Sequence, residues 1–334
     1  MMKVAMGQVA PVILDREATL RRVERAVREA AAGGAKLVAF GESLVPGYPV
    51  WLSRTDAARF DEPEVKAMHA LYLDQAVRLG HDGGDLEGVC RAAREGGIGV
   101  VLGVAERGVD RGGHSIYCSR VFIGGEGEEA GRVLSVHRKL MPTYEERLSW
   151  AIGDGAGLVT HHVGEFEVGA LNCWENWMPL ARAALYAQGE TLHVALWPGS
   201  ERNTRDITRM IAKESRSYVM SVSAMMRASD VPAGVPGRER WVHEGEVYCD
   251  GGSAIAGPDG QWVVEPVVGR EGVFVAEIDA ARVREERQNF DPSGHYSRPD
   301  VLRLTVDRRR QRAAEFIDDQ HADAGERSGA DRKA

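Results

Sequence analysis

Residues 166–180 read FEVGALNCWENWMPL. Phe166 to Leu171 has the run of small and apolar side chains that a buried strand carries. Asn172-Cys173 follows. Met178 to Gln188 then takes up helical spacing, with Pro179 in the first turn, where its missing N–H is harmless. Gly189 stops the helix, and Thr191 to Trp197 is a second apolar strand. Strand, helix and strand in this order belong to an α/β domain.

The same alternation runs outward in both directions. Lys3 to Ala10 reads as a strand. Asp15 to Ala32 reads as a helix with Leu20, Val23, Ala26 and Val27 on one face, closed by Gly33-Gly34. Lys36 to Phe40 is a strand buried on both faces by its pattern. Residues 61–80 and 85–95 look helical, and Ile98 to Ala105 is another buried strand. Ser115 to Ile123 and Arg132 to His137 are strands around the glycine-rich turn GGEGEEAG. On the other side, Asp206 to Tyr218 reads as a helix and Val219 to Met226 as a strand. Residues 229–246 form a Pro/Gly/charged excursion. Ser253 to Ala256, Trp262 to Val268 and Gly272 to Ile278 make a terminal meander. One domain is expected over 1–307. Residues 308–334, charged and poor in aromatics, are expected to be a disordered tail.

The 334 residues are 43% apolar and 28% charged, with a formal net charge of −8. A mild acidic excess gives no electrostatic case for nucleic acid or an anionic membrane. No apolar run approaches the length of a membrane span, and no secretory signal is visible, so a cytoplasmic location is expected. Cys90, Cys118, Cys173 and Cys249 form no CxxC pair, and no clustered Cys/His spacing points to a metal. His161-His162 would point to opposite faces of a strand. The glycine turns lack the strand–GxGxxG–helix order of a nucleotide site. No cofactor is expected.

Cys173 stands after an apolar strand and before a helix, where free N–H groups would favour a thiolate and could hold an oxyanion. Glu42 ends a strand that should be buried, and a carboxylate there is costly unless paired or set in a pocket. Lys139 follows the strand VLSVHR; alone, it would read as a solvated lysine, as would Glu145 and Glu146 as surface acids. Together the residues read differently. A carboxylate raised by burial can deprotonate a thiol, and an ammonium beside backbone N–H groups can stabilise the charge that grows on an attacked C≡N or C=O. Tyr48, Trp174 and Trp197 are candidate walls of a substrate pocket, whereas Trp51 reads as core.

Five stretches together resemble the nitrilase (carbon–nitrogen hydrolase) superfamily. They are KVAMGQVAPV from Lys3, KLVAFGESLVPGYPVW from Lys36, HRKLMPTYEERLSWAIGDG from His137, GALNCWENWMPLARAALYAQG from Gly169 and DPSGHYSRPD from Asp291. CWENWMPL, PTYEER and GHYSRP are most similar to the nitrilase branch. The resemblance implies a four-layer α-β-β-α sandwich and assembly into homodimers or longer spirals, for which 229–246 and the C-terminal end are candidate contacts. It implies Cys173 as nucleophile, Glu42 as general base, Lys139 as electrostatic stabiliser and Glu146 as the second glutamate, with Glu145 the neighbouring alternative. The implied reaction is hydrolysis of a small-molecule nitrile by water to the carboxylic acid and ammonia, through a thioimidate and a thioester on Cys173. An amidase, a cyanide hydratase or a catalytically idle filament-forming protein are the alternatives.

Overall fold

In the computed structural model, which describes residues 1–80 and 83–314, the period-two alternation of short apolar strands decides how the layers stack. The strands are β1 (Met2–Gln8), β2 (Leu37–Phe40), β3 (Gly99–Arg107), β4 (Ile116–Ile123), β5 (Val133–Arg138), β6 (His161–Val163), β7 (Phe166–Asn172), β8 (Leu192–Trp197), β9 (Tyr218–Ser223), β10 (Met225–Arg227), β11 (Val247–Ala256), β12 (Trp262–Val268) and β13 (Gly272–Ile278). The helices are α1 (Arg16–Ala32), α2 (Pro63–Gln75), α3 (Glu87–Gly96), α4 (Pro179–Tyr186), α5 (Glu201–Ser215), α6 (Arg238–Trp241) and α7 (Ala280–Glu286).

One sheet has the order β13-β1-β2-β3-β4-β5, the other β10-β11-β9-β8-β7-β6 with β12 paired to β11. Parallel pairing joins β1, β2 and β3, and again β7, β8 and β9. Val4, Met6, Leu37, Ala39 and Val101 face the second sheet and pack with Val168, Ala170, Val194, Leu196, Met220 and Val222. Their neighbours Ala5, Val38, Phe40, Val100 and Leu102 turn the other way, onto Val23, Val27 and Ala30 of α1 and Val89 and Ala93 of α3. On the far side, Ala195 and Val219 pack on Ile207 and Ile211 of α5, and Leu171 on Ala181 and Leu185 of α4. The expected four-layer α-β-β-α sandwich is the fold found.

Several boundaries move. Helix α5 begins at Glu201, five residues before the expected start: the polar run ahead of Asp206 forms its first turn, with Glu201 and Arg205 paired one turn apart and Thr204 turned inward to donate to the Gly252 carbonyl at 2.7 Å. The strand expected over Val219–Met226 breaks at Ala224 into β9 and β10. The excursion at 229–246 is not a disordered loop. Val231, Val235 and Trp241 are buried in one cluster with Trp51, Met68 and Tyr72. The order at the C-terminus runs past 307, since Arg310 pairs with Asp154 at 3.1 Å and the Gln311 N–H donates to the same carboxylate at 3.0 Å. Residues 315–334 of the expected tail lie outside the described residues.

Candidate active site

Three strands deliver three of the expected side chains to one place. Glu42 lies two residues beyond β2, Lys139 follows β5, and Cys173 follows β7. The first two belong to one sheet and the third to the other. The two sheets are tied at this point by the Glu42 N–H, which donates to the Trp197 carbonyl at 3.0 Å. The approach is close enough to demand glycine. A Cβ on Gly41 would lie 2.7 Å from Trp197 O, and one on Gly103 would lie 2.2 Å from Gly41 O.

Lys139 Nζ sits 2.9 Å from Glu42 Oε1 and 2.7 Å from Glu146 Oε2, with all three side chains essentially withdrawn from solvent. Cys173 Sγ and carboxylate oxygens of Glu42 and Glu146 lie within 4.8 Å of one another. Glu146 is the buried one of the two neighbouring acids; Glu145 is half-buried at the cleft wall. Glu146 Oε2 also accepts from the Thr143 N–H at 2.6 Å, and Oε1 from the Tyr48 hydroxyl at 2.9 Å. One ammonium thus serves two carboxylates. Burial pushes Glu42 up to about 7, with the nearby Glu146 adding to the rise and Lys139 opposing it. Lys139 is held well above its ordinary value: burial works against its charge, but the Glu42 and Glu146 carboxylates beside it outweigh that.

The sulfur departs from expectation. Cys173 opens a short 3₁₀ turn (Cys173–Trp177), not a long helix, and the α-helix starts only at Pro179. Burial and the Glu42 carboxylate push the thiol well above its ordinary range, with Glu146 adding to the rise, while the Lys139 ammonium and the Trp174 N–H pull the other way. A standing thiolate at a helix terminus is therefore replaced by a protonated thiol beside a carboxylate raised toward neutrality. Cys173 adopts φ of 47°, an uncommon left-handed backbone for a residue with a side chain.

A buried relay that sequence reasoning missed holds that turn. Asn176 Nδ2 donates to the Cys173 carbonyl at 2.8 Å and to the Leu171 carbonyl at 3.3 Å. His193 Nε2 donates to Asn176 Oδ1 at 2.7 Å, and its Nδ1 lies 2.9 Å from Glu190 Oε1. Arg182 reaches the Asn176 carbonyl at 2.7 Å. Glu175 is also fully buried. It accepts from the N–H groups of Asn172 and Leu140 at 3.0 and 2.7 Å and from His137 Nε2 at 2.9 Å, so it staples the nucleophile turn to the residue after Lys139. Burial alone would raise this carboxyl, but His137 and the backbone donors hold it below the usual range. The N-x-x-E spacing of Asn172 and Glu175 is a capping pattern readable in sequence.

The cleft over Cys173 has a volume of about 850 Å³. Tyr48 and Trp174 line it, and its other walls mix polar side chains, Arg54, Asn203, Tyr248 and Asp250 among them, with apolar ones such as Val50 and Val247. Trp197 does not line it. Its side chain is fully enclosed, donates to Ser221 Oγ at 3.2 Å and shares a packed cluster with Cys173 and Ile207 of the outer layer. Trp51 is core, edge-on to Tyr72.

A sandwich with a buried thiol, ammonium and two carboxylates at the meeting of its sheets is the setting of a hydrolase acting on carbon–nitrogen bonds. The chain belongs to the carbon–nitrogen hydrolase family, which it matches over residues 3–288. It is 34% identical to "Nitrilase 2" of an unknown prokaryotic organism, over 96% of this chain and 97% of that one. It is 36% identical to a nitrilase of Pseudomonas syringae pv. syringae, over 91% and 89% of the two chains. Among solved structures, an amidase from Nesterenkonia sp. AN1 is similar in fold, with a TM-score of 0.60 at 18% identity, over 86% of this chain and 98% of that one.

Proposed function

We propose that this chain is a nitrilase, converting an organic nitrile and two waters into the carboxylic acid and ammonia. The observation that carries the reading is the gathering of Cys173, Glu42 and Glu146 within 4.8 Å around the Lys139 ammonium. The names of its curated relatives support it.

Glu42 takes the Cys173 proton as the sulfur attacks the nitrile carbon, and returns it to the nitrile nitrogen, giving a thioimidate. A base near neutrality suits this step, because the thiol is not ionised beforehand. Water then adds with Glu42 accepting its proton. The charge of the tetrahedral species is met by Lys139 and the Trp174 N–H. Glu42 returns that proton to the nitrogen, the hydroxyl proton follows as the C–N bond breaks, and ammonia leaves to give a thioester. A second water, deprotonated by the freed Glu42, attacks it, and the same proton passes to the departing sulfur, releasing the acid and restoring the thiol. Glu146 fixes Lys139 and takes part in the proton traffic. The polar side chains among the cleft walls can hold a nitrile that carries a hydrogen-bonding group beside its apolar part. A homo-oligomer in the cytoplasm belongs to the same reading. The exposed Trp177 and Leu180 beside the nucleophile turn form an apolar face of the kind a second copy covers.

The test is a panel of nitriles and matching amides, with acid, amide and ammonia quantified. Wild-type protein should release ammonia and acid from a nitrile, and Cys173→Ala should release none while its circular dichroism is unchanged. Turnover of amides alone would make it an amidase, amide as sole product a hydratase, and turnover by Cys173→Ala would remove the sulfur from the role.

A further inference from the structure

We propose that Cys118 is a positioning residue for the general base, its buried thiol holding one oxygen of Glu42 so that the other is left free to take a proton. This rests on the reading of Glu42 as the base. Cys118 lies on β4, is 1% exposed, and its Sγ is 3.4 Å from Glu42 Oε1. Lys139 Nζ approaches the same oxygen at 2.9 Å. Both donors therefore converge on Oε1, while Oε2 is buried with no hydrogen-bond partner among the described residues. That asymmetry is what a base needs: one oxygen fixed, the other open to a proton.

The main chain of Cys118 performs a second task. Its carbonyl accepts the Lys139 N–H at 2.8 Å, so one residue of β4 touches both the carboxylate and the lysine that faces it. The thiol itself stays protonated, because burial and the adjacent Glu42 push it well above its ordinary range, and so it remains a donor.

Every other group facing Glu42 is engaged elsewhere or acts by charge. Lys139 comes from the end of β5, Glu146 from the following turn and Cys173 from the end of β7. Tyr48, in the loop after β2, spends its hydroxyl on Glu146 Oε1. The Tyr72 hydroxyl, from α2, is within reach of Ser43 Oγ at 3.1 Å and the Gly47 carbonyl at 3.3 Å, and accepts from Trp150 Nε1. Neither tyrosine can replace the Cys118 bond without giving up its own.

The loss of a donor to a carboxylate raises the carboxyl's pKa. Two pH profiles read this: kcat/KM on a nitrile turned over by the wild type, and the rate of Cys173 alkylation by iodoacetamide, followed by mass spectrometry of its peptide. In Cys118→Ala the acid limb of both should move to higher pH by about one unit, with a roughly tenfold loss below neutrality that fades above pH 8. In Cys118→Ser, where a hydroxyl restores a stronger donor, the limb should return to the wild-type position or below it. A Cys118→Ala profile unmoved in pH, or lowered by the same factor at every pH, would overturn the proposal. Should that variant fail to fold, a Cys118→Ser limb shifted upward would overturn it alone. Wild-type protein that turns over neither nitriles nor amides sinks the hydrolase reading instead, and the alkylation profile still decides the part played by Cys118.

Discussion

Glu42→Gln should abolish turnover and, above neutral pH, make the protein more stable. In the folded chain the carboxyl is raised by burial from about 4.5 to about 7. Unfolded, it titrates in water at its ordinary value. Between those two values the native state holds a proton that the unfolded chain has lost, so stability falls as pH rises through the window. At pH 8 nearly the full penalty is present: roughly 2.5 units at about 1.4 kcal/mol each, or about 3–4 kcal/mol. Glutamine has the shape of the neutral acid and cannot ionise. Its amide nitrogen takes the place of the partnerless Oε2, and an unsatisfied donor there costs about 1–2 kcal/mol. That cost is the same at every pH, so it cancels when two pH values are compared. Urea unfolding of both proteins at pH 5 and pH 8 should find the variant gaining about 2–3 kcal/mol on the wild type between the two. Ammonia release from a nitrile should fall by about three orders of magnitude or more. A stability difference that does not change from pH 5 to pH 8 would refute the buried, raised carboxyl, whatever the activity does.

The same ionisation governs the rate. For the free wild-type enzyme, kcat/KM should rise with pH through a limb near 7, as Glu42 loses its proton, and a limb near 4.5 would mean that the base is a carboxyl its burial does not raise. Lys139→Ala should leave two buried carboxylates without their cation, costing about 3–5 kcal/mol at pH 8. The loss should shrink toward pH 5, where a protonated carboxyl needs no partner; denaturation at the two pH values checks the sign.

Glu42 and Cys173 were legible because each stands just past an apolar run, and a polar group at the end of a buried strand has few places to go but a cleft. Lys139, preceded by His137 and Arg138, read alone as a solvated lysine and gained its role only beside the other two and from the family resemblance. The alternation of apolar strands and amphipathic helices carried the α/β class, while the four layers came from the family resemblance. What remained hidden depends on distant partners. His193 sits inside LHVALW, and nothing local says that it bonds Asn176, seventeen residues earlier. His137 and Glu175 meet across the sheets in the same way. Trp197 was misplaced because an aromatic at a strand end can face either side, and here it turns into the outer helical layer. Trp241 and Val235 were lost among prolines, glycines and charges, since two isolated apolar residues make no period.

The base and the lysine ride on one sheet and the nucleophile on the other, with Gly41 leaving no slack between them. The alignment of the reacting groups is therefore a mechanical property of how two slabs sit on each other, not of any single loop. A slip of an ångström along their common face would silence the chemistry while leaving every strand intact. On warming, inactivation should come before any melting of the ladders themselves, and whatever clamps the slabs together guards turnover as much as folding.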